Sequence, residues 1–255
     1  MASPTYRTRV LVLKKTNLGE ADLILTLLRE DGSQLRAVAK GARKPKNTFA
    51  ARMDLFSVCD VLAVSRPKLD IISEARLVAA HMTLREDIAR MSAAAPVLES
   101  LARASQEDLP VPRLFDMADA ALDRLGACEL PIAPAITAAF LVKLVSLLGF
   151  RPSFSECVGC GAHVDPTGGA EVDFSFPDGG AVCPDCASSI DHVRVPARAI
   201  TVSDMFLHST FSQVEAGEPS LSDSFGVLHF CQSWFRSQLN LNLKSLNYLF
   251  TCGLF

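Results

Sequence analysis

Long apolar stretches are missing from this sequence. The longest uncharged apolar run, Leu130 to Val142, contains Pro131 and Pro134 and stops at Lys143, short of the roughly 20 residues a bilayer crossing requires. Near the N-terminus only Val10 to Leu13 is unbroken, hemmed by Arg9 and Lys14, too short for the apolar part of an export signal. These absences predict a soluble, cytoplasmic protein with no membrane partner. Catalytic signatures are missing as well. None of the five histidines is followed two places on by Glu, there is no H-E-x-x-H, and no glycine-rich loop ends in Gly-Lys-Ser/Thr, so no enzyme is expected. His81, His163, His192, His208 and His229 are scattered and read as surface or packing residues.

A third absence is local. Between Asp31 and Asp54 there is no carboxylate, while Arg36, Lys40, Arg43, Lys44, Lys46 and Arg52 stand together. A polyanion is the natural counterpart of that much uncancelled positive charge, a solvated face being the alternative. The net charge of -3 argues against nucleic acid until its distribution is examined. Residues 1–80 hold 14 Lys/Arg against 8 Asp/Glu; residues 81–255 hold 11 against 20. A basic head on an acidic body follows.

The 255 residues, 49% of them hydrophobic, suggest about two domains. The first 80 read as five short strands: Thr5–Thr16, Ala21–Arg29, Gln34–Ala39, Val58–Ser65 and Leu69–Val78. Glu30-Asp31-Gly32-Ser33 and Arg66-Pro67-Lys68 are the turns. Five strands with a long basic connection between the third and fourth suit a small closed barrel of the oligonucleotide/oligosaccharide-binding (OB) type better than a sandwich. In that connection Gly41 and Pro45 discourage a continuous helix. Phe49 either stacks on a base or pins the loop to the barrel, pinning being favoured, and Phe56 reads as core.

Beyond the strands the pattern is helical. Ala75–Ala104 is rich in alanine and leucine and broken by Pro96. Leu114, Ala118, Ala121, Leu122 and Leu125 recur at the helical period before Gly126, and Ala135–Leu148 is strongly apolar up to Gly149. Ser203-Asp204 and Ser222-Asp223 read as N-caps. These helices are expected to form one bundle. The fold class is therefore α+β, divided into a barrel (1–80), a first helical part (81–152), a cysteine segment (153–190) and a second helical part (191–255).

Four of the eight cysteines, Cys157, Cys160, Cys183 and Cys186, form two C-x-x-C pairs; Cys59, Cys128, Cys231 and Cys252 lie in apolar surroundings and read as core thiols. Gly159, Gly161 and Pro184 supply the backbone freedom and bend of two knuckles, which together make a tetrahedral thiolate cage. The 22 residues between the pairs slightly exceed zinc-ribbon spacing but accommodate a hairpin with Val172–Phe176 as a strand. One structural Zn2+ per chain is the expectation, because four sulfurs leave no open position for an activated water. Disulfides or redox dithiols are the alternative; the absence of an export signal and of a βαβ context, and of a Lys or His cluster to lower a thiol pKa, weigh against them. His163, three residues beyond Cys160, is a possible substitute ligand.

The Glu20-Ala21-Asp22 element, the stretch from Lys40 to Lys46 and Leu55-Phe56 resemble the N-terminal barrel of the bacterial recombination mediator RecO family. The run Leu141 to Arg151 before Cys157 and the late Leu243-Lys244-Ser245 are similar to that family's approach to its zinc site and to its C-terminal region, so the resemblance spans nearly the whole length. It implies a non-catalytic protein that binds single- and double-stranded DNA, anneals complementary strands and helps load RecA onto strands coated by single-stranded-DNA-binding protein. It further implies RecR and the acidic tail of single-stranded-DNA-binding protein as partners, and a nucleoid-associated location. Lys143, Arg151 and Lys244 are the candidate cations for that tail, though each could equally cap a helix. With only Lys244 as a cation in Asn240–Phe255, the chain departs from a basic C-terminal tail. A zinc-ribbon adaptor whose basic face meets an acidic protein is the alternative reading.

Overall fold

The computed structural model describes residues 4–44 and 49–255. Two compact units are found, one made of Met1–Met91 with Val97–Gly126, the other of Ser92–Pro96 with Ala127–Phe255. The change from strands to helices after residue 80 thus falls inside the first unit.

In the first unit β1 (Thr5–Leu18), β2 (Asp22–Arg29), β3 (Gln34–Ala39), β4 (Val58–Val64) and β5 (Asp70–Ala79) close into a barrel in the order β1-β2-β3-β5-β4. The OB-type barrel expected from the sequence is present. All pairings are antiparallel except β3 with β5, and closure leaves no sheet edge to aggregate. Alternation does the sorting: Val10, Val12, Leu25, Leu27, Ala37, Val61 and Ala63 fill the interior, while Arg7, Arg9 and Arg36 point outward. β1 pairs with β4 through Leu11 and with β2 from Val10 onward. A register shift between Val12 and Lys14 makes Leu13 the extra residue that bends the strand between its two neighbours.

Between β3 and β4 lies a one-turn helix, α1 (Phe49–Arg52). Phe49 packs against the barrel core, so it pins the connection as expected. The following turn puts Phe56, 2% exposed, at φ 67, a left-handed conformation that costs a bulky residue about 1–3 kcal/mol. The turn is held from both sides. Lys15 Nζ meets Asp54 Oδ1 at 2.5 Å, and Arg85 Nη1 donates to the Leu55 carbonyl and to Ser57 Oγ, each at 3.1 Å.

Helices α2 (Met82–Glu86), α3 (Ile88–Ala104) and α4 (Leu114–Ala127) follow. Two expectations need correcting here. Ala75–Ala79 is the end of β5 rather than the start of a helix. Pro96 does not break α3, because buried Ala93, Ala94, Val97, Leu98 and Leu101 hold the helix together around the one backbone hydrogen bond that proline cannot make. The helix starts at a sound cap, Asp87 Oδ1 accepting from the N–H groups of Ala89 and Arg90.

In the second unit α5 (Ala133–Leu147) is buried over most of its length and packs on α6 (Ala197–His208) and α8 (Leu221–Leu239). Leu130–Leu147 is long and apolar enough by composition to cross a membrane, but 67% of it is buried inside the protein, where it serves as the central core helix. The helix stops where Gly149 takes φ +91 and the Phe150 N–H returns to the Val145 carbonyl. α7 (Phe211–Ala216) and α9 (Lys244–Thr251) complete the helices. The expected single bundle is therefore shared between two units. The two expected N-caps are also displaced. Ser203 and Asp204 lie inside α6, which starts after Pro196, and Ser203 Oγ back-bonds to the Ala199 carbonyl; α8 is capped by Ser220, not Ser222, with Asp223 in its first turn.

Gly32, at φ +83 in the turn between β2 and β3, approaches so closely that a Cβ would stand 2.0 Å from the Val111 carbonyl oxygen. Gly32→Ala is expected to destabilise the protein by about 2 kcal/mol or more, read as a lowered midpoint in urea. An unchanged midpoint would refute this packing.

Candidate nucleic-acid interface and metal centre

Of the six basic residues singled out from the sequence, the five that the structure describes divide between two places. Arg36 sits outward on β3, opposite Thr26 of β2, and is exposed. Lys40, Arg43 and Lys44 are exposed in the turn that follows. That turn is tied to the β1–β2 connection: the Gly41 N–H donates to Asp22 Oδ1 at 2.7 Å, the Arg43 N–H to the Ala21 carbonyl at 2.9 Å, and Arg43 Nη1 to the Gly19 carbonyl at 3.1 Å. Glu20-Ala21-Asp22 therefore acts as a seat for the basic turn. Among the described residues none of these four cations makes an ion pair, so their charge faces solvent. Lys46 lies outside the described residues.

Arg52 goes elsewhere. From the end of α1 its Nη1 reaches the Ala75 carbonyl on β5 at 3.4 Å, and it lines a groove of about 840 Å³ together with Arg7, Arg9 and Arg76. Sequence reading passed over these three. The signal was the Arg7-x-Arg9 spacing, which on a strand puts both side chains on one face.

In the second unit the four paired cysteines converge, with every sulfur within 4.8 Å of every other. The segment folds as β6 (Glu171–Ser175), β7 (Gly180–Ala181) and β8 (Val193–Pro196), in the order β7-β6-β8; β6 matches the expected strand. The first knuckle closes with Cys157 N–H to the Ala162 carbonyl and Gly161 N–H to the Cys157 carbonyl, both at 2.8 Å, and Gly161 takes φ +74. The second closes with the Cys186 and Ala187 N–H groups on the Cys183 carbonyl, each at 3.1 Å. Gly159 is needed where the two meet, since a Cβ there would stand 2.6 Å from Ile190 Cδ1 and 3.1 Å from Cys186 Sγ.

The donor set suits a tetrahedral cation. Cys160 and Cys183 sulfurs are 3.6 Å apart, close to the ~3.8 Å edge of a tetrahedron with metal–sulfur bonds of about 2.3 Å. The Cys183 N–H donates to Cys157 Sγ at 3.3 Å, and with the N–H groups of Cys160 and Gly159 it draws the Cys157 thiol down to about 6. Cys186 is instead pushed up to about 12, chiefly by Cys160 and then Cys183. One thiolate is thus prepared by the backbone, while Cys160 and Cys186, both held above the ordinary thiol range by the neighbouring sulfurs, would be ionised by a cation in their midst. His163 is exposed, bridged to Glu156 and outside the set, so it replaces no sulfur.

An aromatic cluster anchors this segment. Phe174 and Phe176 lie 5.9 and 6.2 Å from Trp234 of α8, and Phe154 and Phe174 lie 5.7 and 5.3 Å from Phe230. Gln238 Nε2 adds a bond to the Phe176 carbonyl at 2.5 Å, and Trp234 Nε1 donates to the Phe150 carbonyl at 3.1 Å.

Of the three cations considered for an acidic tail, two meet at the C-terminal end of α6. Half-buried Lys143 donates to the Leu207 carbonyl at 2.8 Å, and Arg151 Nη2 donates to Nε2 of the next residue, His208, at 3.1 Å. Burial holds the Lys143 ammonium below its ordinary range. Both cations complement the negative end of the helix, the capping role the sequence left open. Lys244 is apart from them, exposed at the start of α9.

Comparison with known proteins agrees in both halves of the chain. A family model described as recombination protein O N terminal matches residues 1–81, and one described as recombination protein O C terminal matches residues 85–247. A "DNA repair protein RecO" from Frankia casuarinae is 35% identical over 185 residues, 72% of this chain and 74% of that protein. Another with the same name, from Symbiobacterium thermophilum, is 36% identical over 186 residues, covering 71% of each.

Trp234 is the only tryptophan, so metal content can be read by fluorescence. Stripping metal with a chelator under reducing conditions is expected to loosen residues 153–190 and shift Trp234 emission, with recovery on adding back one equivalent of a thiophilic divalent ion. A chelated, reduced protein with unaltered emission and unaltered protease resistance in that segment would show that the cage needs no metal.

Proposed function

The chain belongs to the RecO family, and from that premise we propose that it is a DNA-repair protein that works by binding rather than by covalent chemistry. It holds single- and double-stranded DNA on the barrel, anneals complementary strands, and helps load RecA onto strands coated by single-stranded-DNA-binding protein. The observation that carries this reading is the exposed group Arg36, Lys40, Arg43 and Lys44, without an ion pair among the described residues, on an OB-type barrel. Strands 2 and 3 and the loop between strands 1 and 2 are where such barrels take up nucleic acid. Lys and Arg there neutralise phosphates and release counterions, which gives affinity without base reading. Covering both backbones with cations also lowers the repulsion between two approaching strands.

Zn2+ is the ion we assign to Cys157, Cys160, Cys183 and Cys186, because four thiolates in a closed cage are its characteristic structural set. It would brace residues 153–190 and take no part in DNA chemistry. Residues 1–80 are assigned DNA binding; the helical parts, 81–152 and 191–255, are assigned the acidic tail of single-stranded-DNA-binding protein, and RecR is a further protein partner. Lys143, Arg151 and Lys244 remain the three cations we assign to that tail, the first two from the C-terminal end of α6 and the third from the start of α9. The cytoplasm, at the nucleoid, is the matching location.

The test is binding of a fluorescent single-stranded oligonucleotide across a salt series. For wild type, log K is expected to fall linearly with log salt. Changing Arg43, Lys44 and Lys46 together to Ala should weaken binding and reduce the steepness of that line by about 2, at about 0.7 for each single-strand phosphate that is no longer neutralised. Equal affinity and equal slope in the variant would take the basic turn out of the mechanism.

A further inference from the structure

The groove on the other side of the barrel is unlike the turn, because its cations are organised by carboxylates. Arg9 on β1, Asp60 on β4 and Arg76 on β5 are register partners across three adjacent strands. Asp60 accepts from both arginines, from Arg9 Nε at 2.9 Å and from Arg76 Nη2 at 2.5 Å. Those two arginines keep the Asp60 carboxyl below its ordinary range, Arg9 first. In the neighbouring row Arg7 lies at 3.6 Å from Glu74, with Leu62 between them on β4. Arg52 and the pinning residue Phe49 form the lip. A single carboxylate shared by two guanidiniums leaves most of their donors unused, and the side chains of Arg7 and Arg76 are 74% and 78% exposed. Exposed ion pairs of this kind are worth little, so a phosphate can replace a carboxylate as the partner at small cost. The apolar floor at Leu62 and the flat guanidinium faces suit unstacked bases.

We propose that this groove across β1, β4 and β5 is a second nucleic-acid track that holds the backbone of a single strand independently of the basic turn beside β1–β2. The proposal rests on the barrel being a DNA-binding module and adds to it that one barrel carries two strands at once. Order around the closed barrel puts β2 and β3, with Arg36 and the basic turn, beside but outside the three strands β1, β4 and β5 that carry the groove, so a strand in the groove leaves the turn open.

The experiment uses the full chain, loaded at low salt with two short non-complementary single strands carrying a donor and an acceptor dye. Wild type should give energy transfer between the two strands at one chain per pair. Arg7→Ala with Arg76→Ala should abolish the transfer while single-strand affinity at the turn changes less than twofold. Glu74→Gln, which releases Arg7 from its carboxylate, should tighten the second site by several-fold, a gain that loss of structure cannot imitate. Absence of transfer in wild type, or transfer unaltered by Arg7→Ala with Arg76→Ala, would overturn the second track and leave the turn standing. If the Arg43, Lys44 and Lys46 variant keeps its affinity while the Arg7 and Arg76 variant loses it, the turn reading fails and the groove stands. A groove that binds a poly-glutamate peptide but no oligonucleotide would overturn the proposal in favour of an acidic protein partner.

Discussion

The first unit depends on one strand doing two jobs. β1 hydrogen-bonds to β4 along its first half and to β2 along its second, and the handover falls on Val10 to Leu13. All four are buried, because at the crossing the strand has neighbours on both edges and is covered on both faces. Leu13 is the extra residue of the bulge there, and it resets which side chains face outward. Before the bulge Arg7 and Arg9 point outward on the β4 side; after it Lys14 and Lys15 flank the β2 side. The same strand thus presents arginines beside β4 and lysines beside β2. Shifting that register by one residue would turn Arg7 and Arg9 inward and remove them from the groove.

The second unit is governed by a different constraint. Residues 153–190 contain only short strands and few buried apolar side chains, so their shape cannot come from a core of their own. Four sulfurs converge at one end, while Phe154, Phe174 and Phe176 pack on Phe230 and Trp234 at the other. The cage fixes the hairpin internally and the aromatic cluster fixes it to α8. The cysteine segment is therefore continuous with the helical core and not an appendage on a linker.

Local patterns were legible in the sequence wherever local chemistry decides. Period-two alternation and the Gly32 turn located all five barrel strands to within a few residues, and the C-x-x-C spacing located the sulfur cage, because two residues between sulfurs leave little geometric choice. Legibility failed where tertiary packing overrides propensity. Pro96 continues α3 because the helix is held by its burial, and Ser203 falls inside α6 because Pro196 and the Ala199 carbonyl offer it a different role. The candidate interface was half legible for a similar reason. A charge run is visible in one dimension, yet Arg52 belongs with Arg7, Arg9 and Arg76, which are 24 to 45 positions away in sequence and adjacent only once β1, β4 and β5 pair.

Net charge has the wrong sign for the DNA-binding role we propose, and its distribution between the units shows why it misleads. The unit bearing the barrel holds 19 Lys/Arg against 16 Asp/Glu, and the other holds 6 against 12. The barrel's own surplus is halved by its helices, where Asp116, Asp119 and Asp123 lie on α4 and the last two flank His81. At physiological salt a charge is felt over about 8 Å, so these carboxylates weaken attraction only where they lie close to the cations. Arg36, Lys40, Arg43 and Lys44 make no ion pair among the described residues, whereas the groove arginines share Asp60 and Glu74. The first set should attract phosphate from a distance and the second only at contact, after exchange of a carboxylate for a phosphate. A strand would be captured at the turn by long-range attraction, and the groove would then be filled by a partner strand brought within reach.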